Sequence, residues 1–208
     1  MTDSTSILSI LCDDRWRVDS AEECMMLFYR DGTGEMIIRH EMHAWVAAQT
    51  EWKCLDGAAV LDRKATVAQD DSSQASKGVG GQIDFIADLS LEIIITKRAI
   101  TSRGPTEGLY LNDFYLKDEV FNIPKRYSAR LERGTFITTM EAKLNSLPPW
   151  APRFKYRLSF DKSPYPEAEH WFEDDEDEDG HYRLLPRPYL PFSEWKELCS
   201  GMIKGELA

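Results

Sequence analysis

CMMLFYRDGTGEMIIRHEMHAWVAAQTEWKCL, Cys24 to Leu55, is the stretch whose reading decides the fold. At its centre Asp31-Gly32-Thr33-Gly34 sets two glycines between Met25-Met26-Leu27-Phe28-Tyr29 and Met36-Ile37-Ile38. Glycine supplies the positive φ that tight turns require, so the stretch reads as a β-hairpin. Beyond the turn the even positions Met36, Ile38, His40, Met42, Ala44, Val46 and Ala48 are apolar apart from His40, whereas the odd ones begin Glu35, Ile37, Arg39, Glu41 and His43. Side chains two apart share a face of a strand, so this arm is a sheet wall with a dry side. The arm continues to Cys54 and is too long for one ordinary strand of about five or six residues. It must bend sharply or run as two strands, and the small residues Ala44, Ala47 and Ala48 mark the expected bend.

The same alternation recurs on both sides of this hairpin. Before it, Asp14-Arg15-Trp16-Arg17-Val18 interleaves charge with Trp and Val, as a half-buried first strand does. Ser4 to Cys12 fits a short helix and an extended lead-in equally. After it, residues 62–81 lose their large apolar side chains and read as a long solvated loop. Strand signals return at Gln82 to Ala87 and Leu89 to Arg98, rich in β-branched residues. Residues 100–124 carry the breakers Gly104-Pro105 and Gly108, and read as a second long connection packed on the mouth of the sheet. Tyr127, Ala129 and Leu131 before Gly134, and Phe136, Thr138, Met140 and Ala142 after it, suggest a further pair of strands. Phe154, Tyr156, Leu158 and Phe160 make the cleanest strand face of all. Glu173 to Asp179 is an unbroken acidic run, too self-repelling to pack, and reads as an exposed spacer. Ser193 then suits a helix N-cap, with Trp195, Leu198, Cys199, Met202 and Ile203 at helical offsets behind it. An amphipathic C-terminal helix over about 193–204 is expected.

Composition sets limits on what such a chain does. Its 208 residues, 42% of them hydrophobic, suit one domain with a sizeable core. A net charge of -11 argues against nucleic acid as a partner, because tracking phosphates requires clustered Lys and Arg. The four cysteines show no CxxC spacing, and the N-terminus lacks the basic start and apolar core of a secretion signal. Reduced thiols and a cytoplasmic protein are expected. No apolar run approaches the roughly 18 residues of a membrane span.

Many alternating strands and few helices suit an all-β, antiparallel up-and-down barrel, about residues 14–160, since closure removes unpaired sheet edges. The early Trp strand, the apolar strand ending in Asp31-Gly32-Thr33-Gly34, the strands after it and the expected terminal helix together resemble the calycin or lipocalin-like superfamily. The family's Gly-x-Trp stands here as Asp14-Arg15-Trp16, and no Thr-Asp-Tyr motif is present. The resemblance implies a late-strand arginine packed across the Trp, either Arg157 or Arg153. It also implies a cavity for one small hydrophobic molecule, and the alternation nominates Phe28, Ile38, His40, Met42, Trp52, Phe136, Met140, Tyr156 and Leu158 as its lining. The same stripe is what any filled core displays.

Chemistry is signalled weakly. His40 is the first residue of interest, because an imidazole among Met36, Ile38 and Met42 is costly to bury without a partner. With Glu51 and Tyr156 it forms a candidate acid–base set, to which Lys97 and Arg98 add polar neighbours. Such a set suffices for cofactor-independent isomerase, cyclase or dehydratase chemistry on a hydrophobic natural product. No metal is expected, since His40 and His43 would face opposite sides of a strand and the HExxH spacing is missing. No cofactor or nucleophile motif stands complete either. Carriage of a small hydrophobic ligand is the leading expectation, catalysis the second, and a protein-interaction scaffold using the acidic run and the terminal helix the third. The interior discriminates among them: a filled one favours the scaffold.

Overall fold

The computed structural model describes residues 5–40, 43–65, 82–100, 112, 115–144, 151–172 and 194–203, with backbone alone at 40 and 43–45. Eight antiparallel strands form one closed sheet in chain order: β1 (Trp16–Arg17), β2 (Cys24–Phe28), β3 (Thr33–His40), β4 (His43–Cys54), β5 (Asp84–Ala99), β6 (Lys125–Phe136), β7 (Arg153–Phe160) and β8 (Glu197–Ile203). Each pairs with its sequence neighbours, and β8 returns to β1 where Cys199 meets Arg17.

The hairpin at Asp31-Gly32-Thr33-Gly34 joins β2 to β3 as the glycines require. Gly32 has φ +85°, and the Asp31 carboxylate accepts the Thr33 N–H at 2.9 Å and its hydroxyl at 2.6 Å. Those bonds hold the Asp31 carboxyl below its ordinary range. Gly34 serves a different need. It lies between Phe28 on β2 and Thr50 on β4, and a Cβ there would meet the Leu27 carbonyl oxygen at 2.3 Å and the Thr50 hydroxyl at 2.6 Å.

The long arm after the hairpin runs as two strands. His40 pairs with His43, so the chain reverses between them, and the small residues Ala44, Ala47 and Ala48 lie within β4 rather than at a bend. The two strand signals at Gln82 to Ala87 and Leu89 to Arg98 merge into the sixteen-residue β5, which absorbs a register shift between Phe85 and Ala87. No turn forms at Gly134. β6 runs through it to Phe136, with a register shift between Arg133 and Phe136, and the expected next strand is replaced by the short helix Thr139–Ala142. Thr138 caps that helix by accepting the Glu141 N–H at 3.5 Å, as a Thr at an N-terminus favours. The N-terminal segment resolves to helix α1 (Ile7–Cys12), with the Ser6 hydroxyl accepting the Ser9 N–H.

The expected C-terminal helix is overturned: residues 197–203 form β8, the strand that closes the sheet. The spacing of Leu198, Cys199, Met202 and Ile203 fits a helix, but the gap between β7 and β1 demands a strand covered on both faces. Leu198, Cys199 and Ser200 are accordingly all buried in succession. Trp195 is buried just ahead of the strand, edge-on to Tyr165 at 5.2 Å. The acidic run Glu173 to Asp179 and most of the 62–81 loop lie outside the described residues.

Both ends of the ring are covered. At the end of the β2–β3 turn, α1 inserts Ile7, Ile10 and Leu11 into the core, and Arg30 from the turn donates to Ser9 and Asp13. At the other end, Asn112 makes a two-point bond to Ala47 of β4, accepting its N–H at 2.8 Å and donating to its carbonyl at 3.1 Å. Ala47 stands next to Ala48, whose pairing with Ala99 is the terminal register pair of the β4–β5 ladder. Leu116, Val120, Phe121, Tyr165 and Trp171 join the same core cluster.

Replacing Gly34 with Ala drives a methyl group into a backbone carbonyl that three paired strands hold in place. Gly34→Ala is expected to lose about 3 kcal/mol of stability or fail to fold; an unchanged urea midpoint would contradict the close approach.

Candidate functional site

The inside of the ring is the natural place for a site, and the alternation of each strand decides what fills it. Met26 on β2, Met36 and Ile38 on β3, Val46 and Ala48 on β4, Leu91 on β5, Leu131 on β6, Leu158 on β7 and Leu198 on β8 belong to one buried cluster. Every one of them has 0% exposure. A side chain bordering a water-sized void would keep accessible surface, so the ring is closely packed around these positions. Phe28 and Trp52 add an edge-to-face pair with centroids 5.2 Å apart, and the Trp52 indole N–H donates to the Tyr29 carbonyl at 2.9 Å.

The nominated lining therefore divides. Phe28, Ile38, Trp52 and Leu158 are buried in the main core, and Tyr156 is half-buried against it with the Lys155 ammonium 5.2 Å over its ring. Phe136 belongs instead to a separate cluster with Phe154 and Cys199, because its even position shares the outward side of Glu132 rather than the inward side of Tyr127, Ala129 and Leu131 on β6. Met140 reaches the main core from the helix Thr139–Ala142, not from a strand. The side chains of His40 and Met42 lie outside what is described; the His40 backbone ends β3.

The acid–base set does not converge around the interior. Glu51, expected to face inward with His40, stands on the outer face between buried Thr50 and Trp52, with 49% of its side chain exposed and an ion pair to Arg98. Lys97 pairs with Asp118 at 2.6 Å and lies over the Phe121 ring. Tyr156 is on β7, opposite Arg133 and Ser200. The arginine expected across Trp16 is engaged elsewhere: Arg157 lies 4.7 Å over Phe136 and pairs with Glu132 at 2.7 Å, Arg153 donates to the Ala151 carbonyl, and the Trp16 indole N–H donates to the Leu11 carbonyl.

Several polar groups of interest carry no signal in the sequence. Among the described residues the buried Thr50 hydroxyl and Tyr165 phenol have no hydrogen-bond partner, and burial pushes the Tyr165 phenol well up from its ordinary pKa. Asp19 accepts the Glu23 and Cys24 N–H groups at 3.0 and 2.7 Å, yet burial still holds its carboxyl above the ordinary range. Glu141 reaches across to the Ser20 N–H and hydroxyl. A surface recess of about 230 Å³ lies over Cys12, Asp13, Asp14, Arg15 and the Leu27–Tyr29 end of β2, and its charges are already paired to Arg30, Arg17 and Glu22.

All four cysteines are free, and burial raises the thiols of Cys12 to about 11 and of Cys199 to about 12. Among the described residues no group of three or more His, Cys, Asp and Glu gathers as a metal site would require. No described helix is long and apolar enough to cross a membrane. Comparisons of the chain with protein-family models, with curated proteins and with solved structures returned no match.

An unpartnered buried hydroxyl destabilises the fold, so its removal at constant shape is favourable. Thr50→Val and Tyr165→Phe are each expected to raise stability by about 1 kcal/mol in urea unfolding; a loss of that size would show that the hydroxyl is hydrogen-bonded in solution.

Proposed function

We propose that the closed sheet is a calycin-type barrel whose interior serves as a structural core, and that the chain acts as a rigid interaction scaffold for a positively charged protein. The packed interior carries this reading: inward side chains on seven successive strands, from Met26 on β2 to Leu198 on β8, have 0% exposure. What remains available for recognition is the outside. With a net charge of -11 the chain's field attracts basic surfaces and repels polyanions. The acidic sequence Glu173 to Asp179 concentrates that charge between Phe172, whose N–H donates to the Tyr115 carbonyl, and the buried Trp195.

One observation favours carriage of a small hydrophobic molecule as a second reading. Among the described residues the buried Thr50 and Tyr165 hydroxyls find no hydrogen-bond partner, and a ligand's polar group is one way to satisfy such groups. That ligand would have to displace packed side chains. The outward position of Glu51 removes one of the three groups on which isomerase, cyclase or dehydratase chemistry was founded.

Two measurements on the chain taken from its own cells separate the readings. Native mass spectrometry is expected to give the bare chain mass, and a stoichiometric small molecule would establish carriage instead. Crosslinking in cells is expected to capture a partner with a basic surface, lost when Glu173 to Asp179 is replaced by Ser and Gly while the melting temperature is unchanged. Retention of the same partner by that variant would overturn the electrostatic part of the reading.

A further inference from the structure

The ring is closed unevenly. β8 runs beside β7 from the Ser159–Glu197 pair to the Arg153–Ile203 pair, whereas among the described residues it meets β1 at a single register pair, Arg17 with Cys199. Backbone pairing so short contributes little to holding two strands together. Side chains occupy the seam in its place. The Asp14 carboxylate accepts the Gly201 N–H of β8 at 2.9 Å and the Ser200 hydroxyl at 3.4 Å, and it receives two N–H groups of the Arg17 guanidinium at 3.1 and 3.2 Å. The same guanidinium, 5% exposed, donates to Glu22 at 2.9 and 3.0 Å and to the Arg15 carbonyl at 2.8 Å. Its flat face lies 5.9 Å from the Phe154 ring of β7. Glu22 holds a left-handed backbone with φ +58°, an unfavourable conformation for a residue with a Cβ, and its carboxylate serves both Arg15 and Arg17.

We propose that the β1–β8 seam is an acid-labile clasp: loss of the negative charges on Asp14 and Glu22 releases β8 from β1 while β7 keeps hold of it. Without those charges Arg17 is a buried cation with no counter-ion, a strongly unfavourable state that opening the seam relieves by hydrating it. Opened, β1 and β8 present unpaired backbone edges to which another strand can add. The groups around the clasp support the direction. Burial opposes the charge on both carboxylates, but the bonds to Arg17, with those from Arg15 and Gly201, outweigh it and leave Asp14 and Glu22 below their ordinary ranges. A lowered carboxyl contributes stability above its unfolded value and loses it as the pH falls through the folded one. Cys199, the remaining titratable group at the ladder pair, stays protonated throughout. Asp19, in the same β1–β2 connection and near Glu23 and Glu141, is shifted upward, so its protonation favours the fold and cannot be what opens the seam.

Hydrogen exchange followed by mass spectrometry on the full chain tests this. After correction for intrinsic rates, lowering the pH from about 7 to about 2.5, beneath the ordinary ranges of both carboxyls, is expected to speed exchange in residues 16–18 and 197–203 by roughly tenfold or more, with residues 84–99 and 125–136 changed much less. Asp14→Asn and Glu22→Gln are expected to reproduce that local pattern at neutral pH, and Asp19→Asn is not. Exchange that stays slow in both seam segments, or that rises in all strands together, would overturn the clasp. The acid arm uses the unmodified chain and decides the matter even where a variant fails to fold.

Discussion

A sheet that closes on itself encloses a space that side chains or a ligand must occupy, and in this chain buried side chains occupy it. Eight strands enclose a space just wide enough for side chains to occupy, so the inward position of every strand is fixed in size as well as polarity. Where three strands approach closely, the inward residue on β3 is Gly34, with the Leu27 carbonyl and Thr50 crowding the place of its missing side chain. Large groups compensate nearby: Phe28 and Trp52 meet edge to face beside it. The two ends are filled by what the connections supply, α1 at one and the Leu116–Phe121 and Tyr165–Trp171 segments at the other.

Charge is kept on the outer face, where it reinforces register. Glu92 on β5 pairs with Lys53 on β4 and Arg126 on β6, Arg130 on β6 pairs with Asp88 on β5, and Arg157 on β7 lies between Glu132 and Glu197. Opposite charges directly across strands favour one alignment over its one-residue slip, which would bury them. Each exposed pair adds little to stability. Among the described residues Glu92 and Arg17 are the buried charged groups, and the Arg17 guanidinium stands where backbone pairing is shortest.

Much of this was legible in the sequence. The Asp31 to Gly34 turn, the apolar even face of β2 to β4 and the Tyr156, Leu158 and Phe160 face of β7 carry their periodicity openly, because period-two alternation is a local property, whereas Phe154, expected on that face, packs with Phe136 and Cys199. What was hidden depends on partners far away in the chain. The spacing of Leu198, Cys199, Met202 and Ile203 satisfies a helix and a doubly covered strand alike, and only the gap between β7 and β1 decides between them. Gly134 reads as a turn, yet the chain passes through it within β6. Glu51 stands at an odd position, on the face opposite Met36, Val46, Ala48 and Trp52, so the alternation itself places it outside and its grouping with His40 runs against that parity. Arg17 and Asn112 give no sequence signal at all, since each is defined by the long-range group it satisfies.

The ring is filled, and the stability of Leu131→Ala and Leu158→Ala in urea measures that filling most directly. Removing either side chain from a close-packed interior is expected to destabilise the fold by about 2–5 kcal/mol, the transfer and cavity contributions together. A loss below about 1 kcal/mol at both positions would mean that these side chains already border a void, and would contradict the account.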